Sequence, residues 1–242
     1  MKLRADIKRQ AKERFAAQYG VSVGALLLYI VISGAVSVIN YIINAPIVLH
    51  NYIYMFTRRG MLLPYVPVTD YLMMIGYLVI IFVVIPMVVG YNAFALRVYR
   101  GMPADINGMF RDGFSNYWRH VGGMLWMGLF AYLWTLLFVI PGIIKMFSYF
   151  LTPYILADCP NVTATDALKL SMRMTAGHKG RIFVLVLSFI GWGVLSLLTA
   201  GLLGIFYSTP YYNTSKAGLY DELKNEALAK GVVSPLELGM AA

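Results

Sequence analysis

Cysteine and histidine are scarce in this chain of 242 residues. It contains one cysteine, Cys159, and three histidines, His50, His120 and His178. A single cysteine excludes an intramolecular disulfide and any metal site built from a cysteine cluster. The histidines are far apart in sequence, and no two of them have the spacing of metal ligands on one helix face. The sequence therefore predicts no metal site and no cofactor.

Charge is also sparse, at 13% of residues, whereas 60% of residues are hydrophobic. This composition gives too little polar surface for a soluble domain of this length. Uncharged runs of 43, 26, 25 and 34 residues begin at Phe15, Tyr71, His120 and Ile182, and about 20 apolar residues suffice for a helix to cross a bilayer. Since the runs are continuously apolar, they indicate helices rather than barrel strands. The predicted fold class is an all-α polytopic membrane protein.

Seventeen of the twenty Lys and Arg residues fall within residues 2–14, 97–119, 169–181 and 216–230. The net charge of +9 could suggest nucleic acid as a partner. Basic residues beside every apolar run instead indicate anionic lipid headgroups and the cytoplasmic side of a membrane. If all four segments are cytoplasmic, an even number of crossings separates each consecutive pair. The sequence thus predicts a multi-pass protein of a bacterial cell membrane with both termini in the cytoplasm.

Two crossings per interval fit the available lengths, so we predict six transmembrane helices in three hairpins within a single integral membrane domain, 1–242. An interfacial helix is expected at 1–18 and a cytoplasmic tail at 220–242. The predicted spans are residues 20–43, 71–96, 120–140, 142–157, 182–199 and 202–219.

The connections between these spans are expected at proline and glycine residues. Pro46, Pro64 and Pro67 would lie in the outer loop of the first hairpin, the second would turn at Pro141-Gly142, and the third would turn near Gly201 and Gly204. The fourth span is short and contains Lys145, whose ammonium group must extend to the interface. A re-entrant segment is the alternative for this span.

A cytoplasmic amphipathic helix is predicted before each hairpin. At the start of the chain, Leu3, Ile7, Ala11, Phe15 and Tyr19 recur every four residues between basic residues, which is typical of a helix in the interfacial plane. A simple charged lead-in is the alternative. The similarity of Ala5-Asp6-Ile7 to Ala104-Asp105-Ile106 suggests a repeated unit, against chance similarity of short segments.

The third of these helices is the best defined. Thr163 is expected to cap it, and Asp166 complements the positive end of the helix dipole. One face of the helix is formed by Ala164, Ala167, Leu168, Ser171, Met172 and Thr175. The basic residues of this helix lie on another face, which could meet headgroup phosphates, an acidic partner or only solvent.

Several segments carry a likeness to a known family: YILADCP at 154–160, Gly177-His178-Lys179, LSFIGW at 187–192 and Pro210-Tyr211. In these the chain resembles a family of bacterial integral membrane proteins named domain of unknown function nine-seven-five. The resemblance implies six spans with both ends inside and supplies no catalytic residues. The chain is also distantly similar to the membrane domain of glycerophosphodiester phosphodiesterases, without their hydrolase domain.

No catalytic residues are predicted, because the sequence has no HExxH, no G-x-S-x-G and no phosphate-binding P-loop. The glycine-flanked basic stretch 177–181 could bind a phosphate, or it could be a hinge with interfacial anchors. The candidate ligand-binding residues are Lys145, Asp158, Lys169, Arg173, His178, Lys179 and Arg181.

The favoured function is a non-enzymatic membrane protein that binds or organises membrane lipids, or a membrane-protein partner, through its basic cytoplasmic face. One alternative is a small transporter or exporter of a hydrophobic or peptide substrate, motivated by Lys145 and by prolines within spans. Another is a lipid-modifying enzyme that uses His178 and Asp158 at the inner boundary. Cys159 is expected at this boundary, accessible to an impermeant maleimide only in opened cells.

Overall fold

The structure, a computed structural model, describes residues 4–57 and 68–240, and this part of the chain contains helices and no strands. A π-helical turn, Gly204–Ser208, precedes the last long helix, and a 3₁₀ turn, Leu236–Leu238, lies near the C-terminus. In chain order the helices are α1 (Arg4–Ala17), α2 (Tyr19–Thr57), α3 (Val68–Arg100), α4 (Ile106–Ser115), α5 (Tyr117–Leu137), α6 (Val139–Ser148), α7 (Thr152–Asp158), α8 (Ala164–Thr175), α9 (Lys179–Leu187), α10 (Ile190–Leu198) and α11 (Thr209–Ala229).

Five helical segments are long and apolar enough to cross a membrane. They are Tyr19–Ile39, Met74–Arg100, Tyr117–Leu137, Val139–Asp158 and Lys179–Leu198. The all-α class is therefore confirmed, and five candidate spans indicate a multi-pass membrane protein. The sixth predicted span, 202–219, is not one of the five. It covers the π-helical turn and the first half of α11, which contains the polar run Asn213–Lys216.

Two compact units make up the chain. One comprises Leu28–Val84 and the other comprises Met1–Leu27 with Ile85–Ala242. The first contains parts of α2 and α3, and side chains such as Val31 and Ile39 are exposed there, as lipid-facing residues would be. Pro64 and Pro67 lie outside the described residues.

The prediction for Pro46 was wrong, because Pro46 lies inside α2 rather than in a loop. A proline removes one backbone donor and disfavours the interior of a soluble helix. In a membrane, neighbouring groups can satisfy the carbonyl that is freed, so proline occurs within spanning helices.

The core of the larger unit lies around α7 and α11. The rings of Tyr154 and Tyr220 stack with centroids 5.4 Å apart, and both side chains are almost completely buried. Gly218 allows Tyr99 of α3 and Ile7 of α1 to approach the backbone of α11. Small and aromatic residues thus bring four helices together at one point.

Of the predicted apolar stripe of α1, three residues are buried, whereas Tyr19 is 45% exposed. Ile7, Ala11 and Phe15 are buried within the protein, where α1 packs against α11, and Leu3 lies outside the described residues. An apolar stripe gains the same free energy by leaving water for protein as for lipid. The sequence pattern therefore could not distinguish the two environments.

The cap predicted for α8 is confirmed. The Thr163 hydroxyl accepts a hydrogen bond from the Asp166 amide at 3.2 Å, and Ala167 and Ser171 are buried. Ser171 donates to the backbone carbonyl of Ser148 at 2.7 Å. This bond ties α8 to the end of α6.

The second predicted turn lies earlier than expected. The helical conformation is interrupted at Phe138 (φ −155°, ψ 134°), and Pro141 and Gly142 lie within α6. The first amides of a helix have no intrahelical acceptor, so a proline in the first turn costs little. The third turn is at the predicted place, since Gly201 has φ +85°, a conformation that favours glycine.

Two glycines allow α3 and α4 to cross at close range. A Cβ atom at Gly90 would overlap the carbonyl oxygen of Met109, and one at Gly113 would lie 2.6 Å from the carbonyl oxygen of Pro86. Backbone atoms, unlike flexible side chains, have little freedom to move aside. Gly122 in α5 is different, because a Cβ there would meet nothing within 4 Å.

We expect Gly90→Ala to lower the free energy of unfolding by more than about 3 kcal/mol, because overpacking here displaces backbone. Gly122→Ala is the matched control and should be neutral or stabilising by up to about 1 kcal/mol. Thermal unfolding of both variants in detergent measures the difference. Equal midpoints would contradict this packing of α3 on α4.

Candidate functional site

Asp158 is the centre of a buried ion-pair network. It ends α7, and its side chain is only 11% exposed. Arg100, at the end of α3, donates from Nη1 to Asp158 Oδ1 at 2.6 Å and from Nη2 to Oδ2 at 2.9 Å. This bidentate geometry is among the strongest that a carboxylate can form.

Helix α11 completes the network. Lys224, 6% exposed, donates to Asp158 Oδ2 at 2.6 Å, and the Tyr220 hydroxyl donates to the same oxygen at 3.0 Å. Asp221 accepts from Arg100 Nη2 at 2.7 Å. Burial raises the pKa of Tyr220 well above its usual value, so its hydroxyl remains a donor. The carboxylates of Asp158 and Asp221 balance the charges of Arg100 and Lys224, and both Asp158 oxygens accept hydrogen bonds.

Cys159 adjoins this network. Its side chain is buried, and burial raises the pKa of its thiol despite Lys224 Nζ at 3.9 Å from Sγ. A buried neutral thiol reacts slowly with maleimides. The expectation that Cys159 would report the membrane side was therefore wrong, since the folded protein hides it from both sides.

Arg119 binds the carboxyl-terminal end of α7. It donates to the carbonyl oxygen of Val162 at 2.8 Å, to that of Cys159 at 3.1 Å and to that of Leu156. The last carbonyls of a helix have no intrahelical donor, and a cation there also complements the helix dipole. Arg119 therefore has a structural role.

Three basic residues surround Glu226 of α11. Its carboxylate accepts from Lys230 at 2.6 Å and from Arg181 at 3.0 Å, and His178 Nε2 lies 3.5 Å away. The hydrogen bond from Lys230, together with His178 and Arg181, lowers the pKa of Glu226. Glu226 therefore holds the segment before α9 against α11.

Two further pairs involve the basic residues of α8. Arg173 donates to Glu237 at 2.5 Å and to the carbonyl oxygen of Val232, which attaches the C-terminal segment to α8. The hydrogen bond from Arg173 to Glu237 and one from the Ser234 amide lower the pKa of Glu237 to about 2. Lys169 donates to Asp166 at 3.0 Å.

Lys145 has a different environment. Its Nζ lies 4.6 Å from the ring centroid of Trp134, and no carboxylate pairs with it among the residues described. Lys145 and Lys169 both border a groove of about 500 Å³ between α5, α6 and α8. The other residues that line this groove are Trp126, Phe130, Trp134, Tyr149, Thr165, Leu168 and Met172.

The predicted ligand-binding residues thus fall into separate groups rather than one site. Lys145 and Lys169 share a groove, His178 and Arg181 share Glu226, and Asp158 belongs to its own network. Lys179 begins α9 and Arg173 binds Glu237. In the described ranges, no three His, Cys, Asp or Glu side chains are arranged to hold a metal ion.

Sequence reasoning missed Arg100, Lys224 and Glu226. The position of Asp158 could have indicated that a cationic partner exists. The chain has only eleven acidic residues, and Asp158 directly follows a long apolar run. A carboxylate in such a position needs a cationic partner. Which cation it meets depends on tertiary packing, because Arg100 is 58 positions away and Lys224 is 66 positions away.

Comparison with known families gives one match. Residues 120–227 match a family described as protein of unknown function (DUF975). The match supports the resemblance noted in the sequence, over somewhat less than half of the chain. It includes Asp158, Lys224 and Glu226 but neither Arg100 nor α1. No curated protein and no solved structure matches the chain.

Removal of the Asp158 charge should destabilise the protein, because it leaves buried Lys224 without a carboxylate and Arg100 with Asp221 alone. We expect Asp158→Asn to cost about 3 kcal/mol. Asp166→Asn is the matched control, since the ion pair of Asp166 with Lys169 is exposed and such pairs contribute about 0 to 1 kcal/mol. Thermal unfolding in detergent compares the two variants. Similar midpoints would contradict a central role for Asp158.

Proposed function

We propose that this chain is a non-enzymatic, multi-pass protein of a bacterial cell membrane that binds anionic lipid headgroups through α1. The observation that carries the proposal is the pairing of the basic residues. Within the part of the chain described, Arg4, Lys12 and Arg14 of α1 form no ion pair, and all three residues are exposed.

Most basic residues of the other three segments are engaged inside the protein. Arg100, Arg119 and Arg181 have carboxylate or carbonyl partners, as do Arg173, Lys224 and Lys230. A cation whose charge is compensated by a carboxylate or a carbonyl attracts an anionic ligand only weakly. The broad basic face expected from the sequence is therefore reduced chiefly to α1.

The packing of α1 supports its role as a binding surface. Its buried stripe fixes the helix against α11, and its inward Lys8 donates to the Ser188 hydroxyl at 3.3 Å. Lys8 also lies 4.4 Å from the Phe189 ring centroid. Residues 4–17 contain five basic and two acidic side chains. A fixed cationic helix loses little conformational entropy when it meets a negatively charged surface.

The proposed topology has six crossings, three hairpins and both termini in the cytoplasm. Five candidate spans support it, and residues 202–219 would supply the sixth. If all four basic segments lie in the cytoplasm, an even number of crossings separates each consecutive pair, and six crossings meet this condition. It would place α1 and α8 on the cytoplasmic side as helices that precede hairpins.

The geometry gives less support to the two alternatives. A lipid-modifying enzyme that uses His178 and Asp158 would need both side chains at one substrate. Their partners differ, since His178 faces Glu226 and Asp158 is bound by Arg100, Tyr220 and Lys224. The transporter alternative still depends on Lys145, which lies within the candidate span Val139–Asp158. The described structure adds no support for the distant similarity to the membrane domain of glycerophosphodiester phosphodiesterases.

The lipid proposal predicts that charge removal on α1 weakens binding to anionic lipid. Each cation near such a surface contributes about 1 kcal/mol. Arg4→Gln, Lys12→Gln and Arg14→Gln together should therefore lower affinity by about two orders of magnitude. Thermal stabilisation by added phosphatidylglycerol, titrated in neutral detergent, measures the affinity.

The control for this titration keeps the charge, with Arg4→Lys, Lys12→Arg and Arg14→Lys, and should bind like the wild type. Phosphatidylcholine should stabilise all three proteins equally. A triple-Gln α1 variant that responds to phosphatidylglycerol like the wild type would refute the proposal.

The topology predicts opposite labelling of two introduced cysteines in a Cys159→Ala background. Asn225→Cys, exposed on α11, should react with an impermeant maleimide only in opened cells. Phe138→Cys, at the 71% exposed break before α6, should react in intact cells. Labelling of both cysteines from the same side would contradict six crossings.

A further inference from the structure

The groove between α5, α6 and α8 combines an aromatic wall with two cationic groups. Trp126, Phe130 and Trp134 are spaced by four residues and so lie on one face of α5. They extend over about 12 Å of the helix at 1.5 Å per residue. Trp126 and Phe130 form an edge-to-face pair with centroids 5.2 Å apart. This wall belongs to the candidate span Tyr117–Leu137.

The charge in the groove is not balanced. Asp166 is the carboxylate next to Lys169, and Lys145 has the Trp134 ring as its neighbour. Lys145 also lies within the candidate span Val139–Asp158, where an unpaired charge is costly and commonly indicates a ligand site. The groove thus has one cationic charge in excess.

We propose that this groove binds one anionic phospholipid. Its phosphate diester would pair with Lys145, and the lipid would lie along Trp126, Phe130 and Trp134. A single negative charge complements the single excess cation. The volume of about 500 Å³ is in the range of small-molecule sites, and two of its walls belong to candidate spans. The inference rests on the proposed function only for the membrane location, because it uses residues distinct from those of α1.

Fluorescence quenching tests this site directly. Trp118→Phe and Trp192→Phe leave Trp126 and Trp134 as the two tryptophans, both on the groove. This protein is reconstituted in phosphatidylcholine nanodiscs with a small fraction of bromine-labelled phosphatidylglycerol or bromine-labelled phosphatidylcholine. We expect the anionic lipid to quench at about fivefold lower mole fraction, which is the effect of one charge contact.

Variants of Lys145 identify the contact. Lys145→Met and Lys145→Gln should each abolish the preference for the anionic lipid, and Lys145→Arg should retain it. Lys230→Met is the matched control, because it removes an exposed lysine that does not line the groove, and it should leave the preference unchanged. The triple-Gln α1 variant should also retain the preference, which separates failure of this inference from failure of the proposed function.

Three results would overturn the inference. The two labelled lipids could quench equally, the preference could survive both Lys145→Met and Lys145→Gln, or millimolar inorganic phosphate could remove it. The last result would show that the groove binds free phosphate rather than a lipid. A preference that requires Lys145 and resists phosphate would establish the lipid site.

Discussion

The larger unit of the structure depends on the neutralisation of Asp158. This carboxylate ends α7, and both of its oxygens accept hydrogen bonds from other helices. Arg100 brings in the end of α3, and Lys224 and Tyr220 bring in α11. A buried carboxylate is tolerated only when cations and donors replace its hydration. The requirement therefore fixes where three helices meet.

The same principle explains why the basic residues have different roles. Where a carboxylate or a free helix carbonyl is close, as for Arg100, Arg119 and Arg181, the cation stabilises the fold. Where none is close, as for Lys12 or Lys145, the charge remains available to a ligand. The number of basic residues in a segment therefore does not give its capacity to bind an anion.

Much of the fold could be predicted from the sequence, because hydrophobic run length and the spacing of basic residues are local properties. They gave the helical class, the multi-pass character, the Thr163 cap and the turn at Gly201. The stripe of α1 was also predictable, but not its partner. The turn at Pro141 was placed too late because a proline suits the first turn of a helix as well as a loop.

The candidate site was much less predictable. Lys145 and Lys169 were both identifiable as unusual charges, yet only the packing of α8 beside α5 and α6 brings them to one groove. Similarly, Asp158 could be singled out but not joined to Arg100 or Lys224. These contacts depend on tertiary structure, and no short motif encodes them.

A protein that selects anionic lipid should carry that lipid with it when it leaves the membrane. The most direct measurement is the lipid composition that remains with the wild-type protein after mild extraction from cell membranes, compared with the bulk lipid of those membranes. The account predicts a clear enrichment of anionic over zwitterionic phospholipid in the retained fraction. A retained fraction with the same composition as the bulk membrane would contradict it.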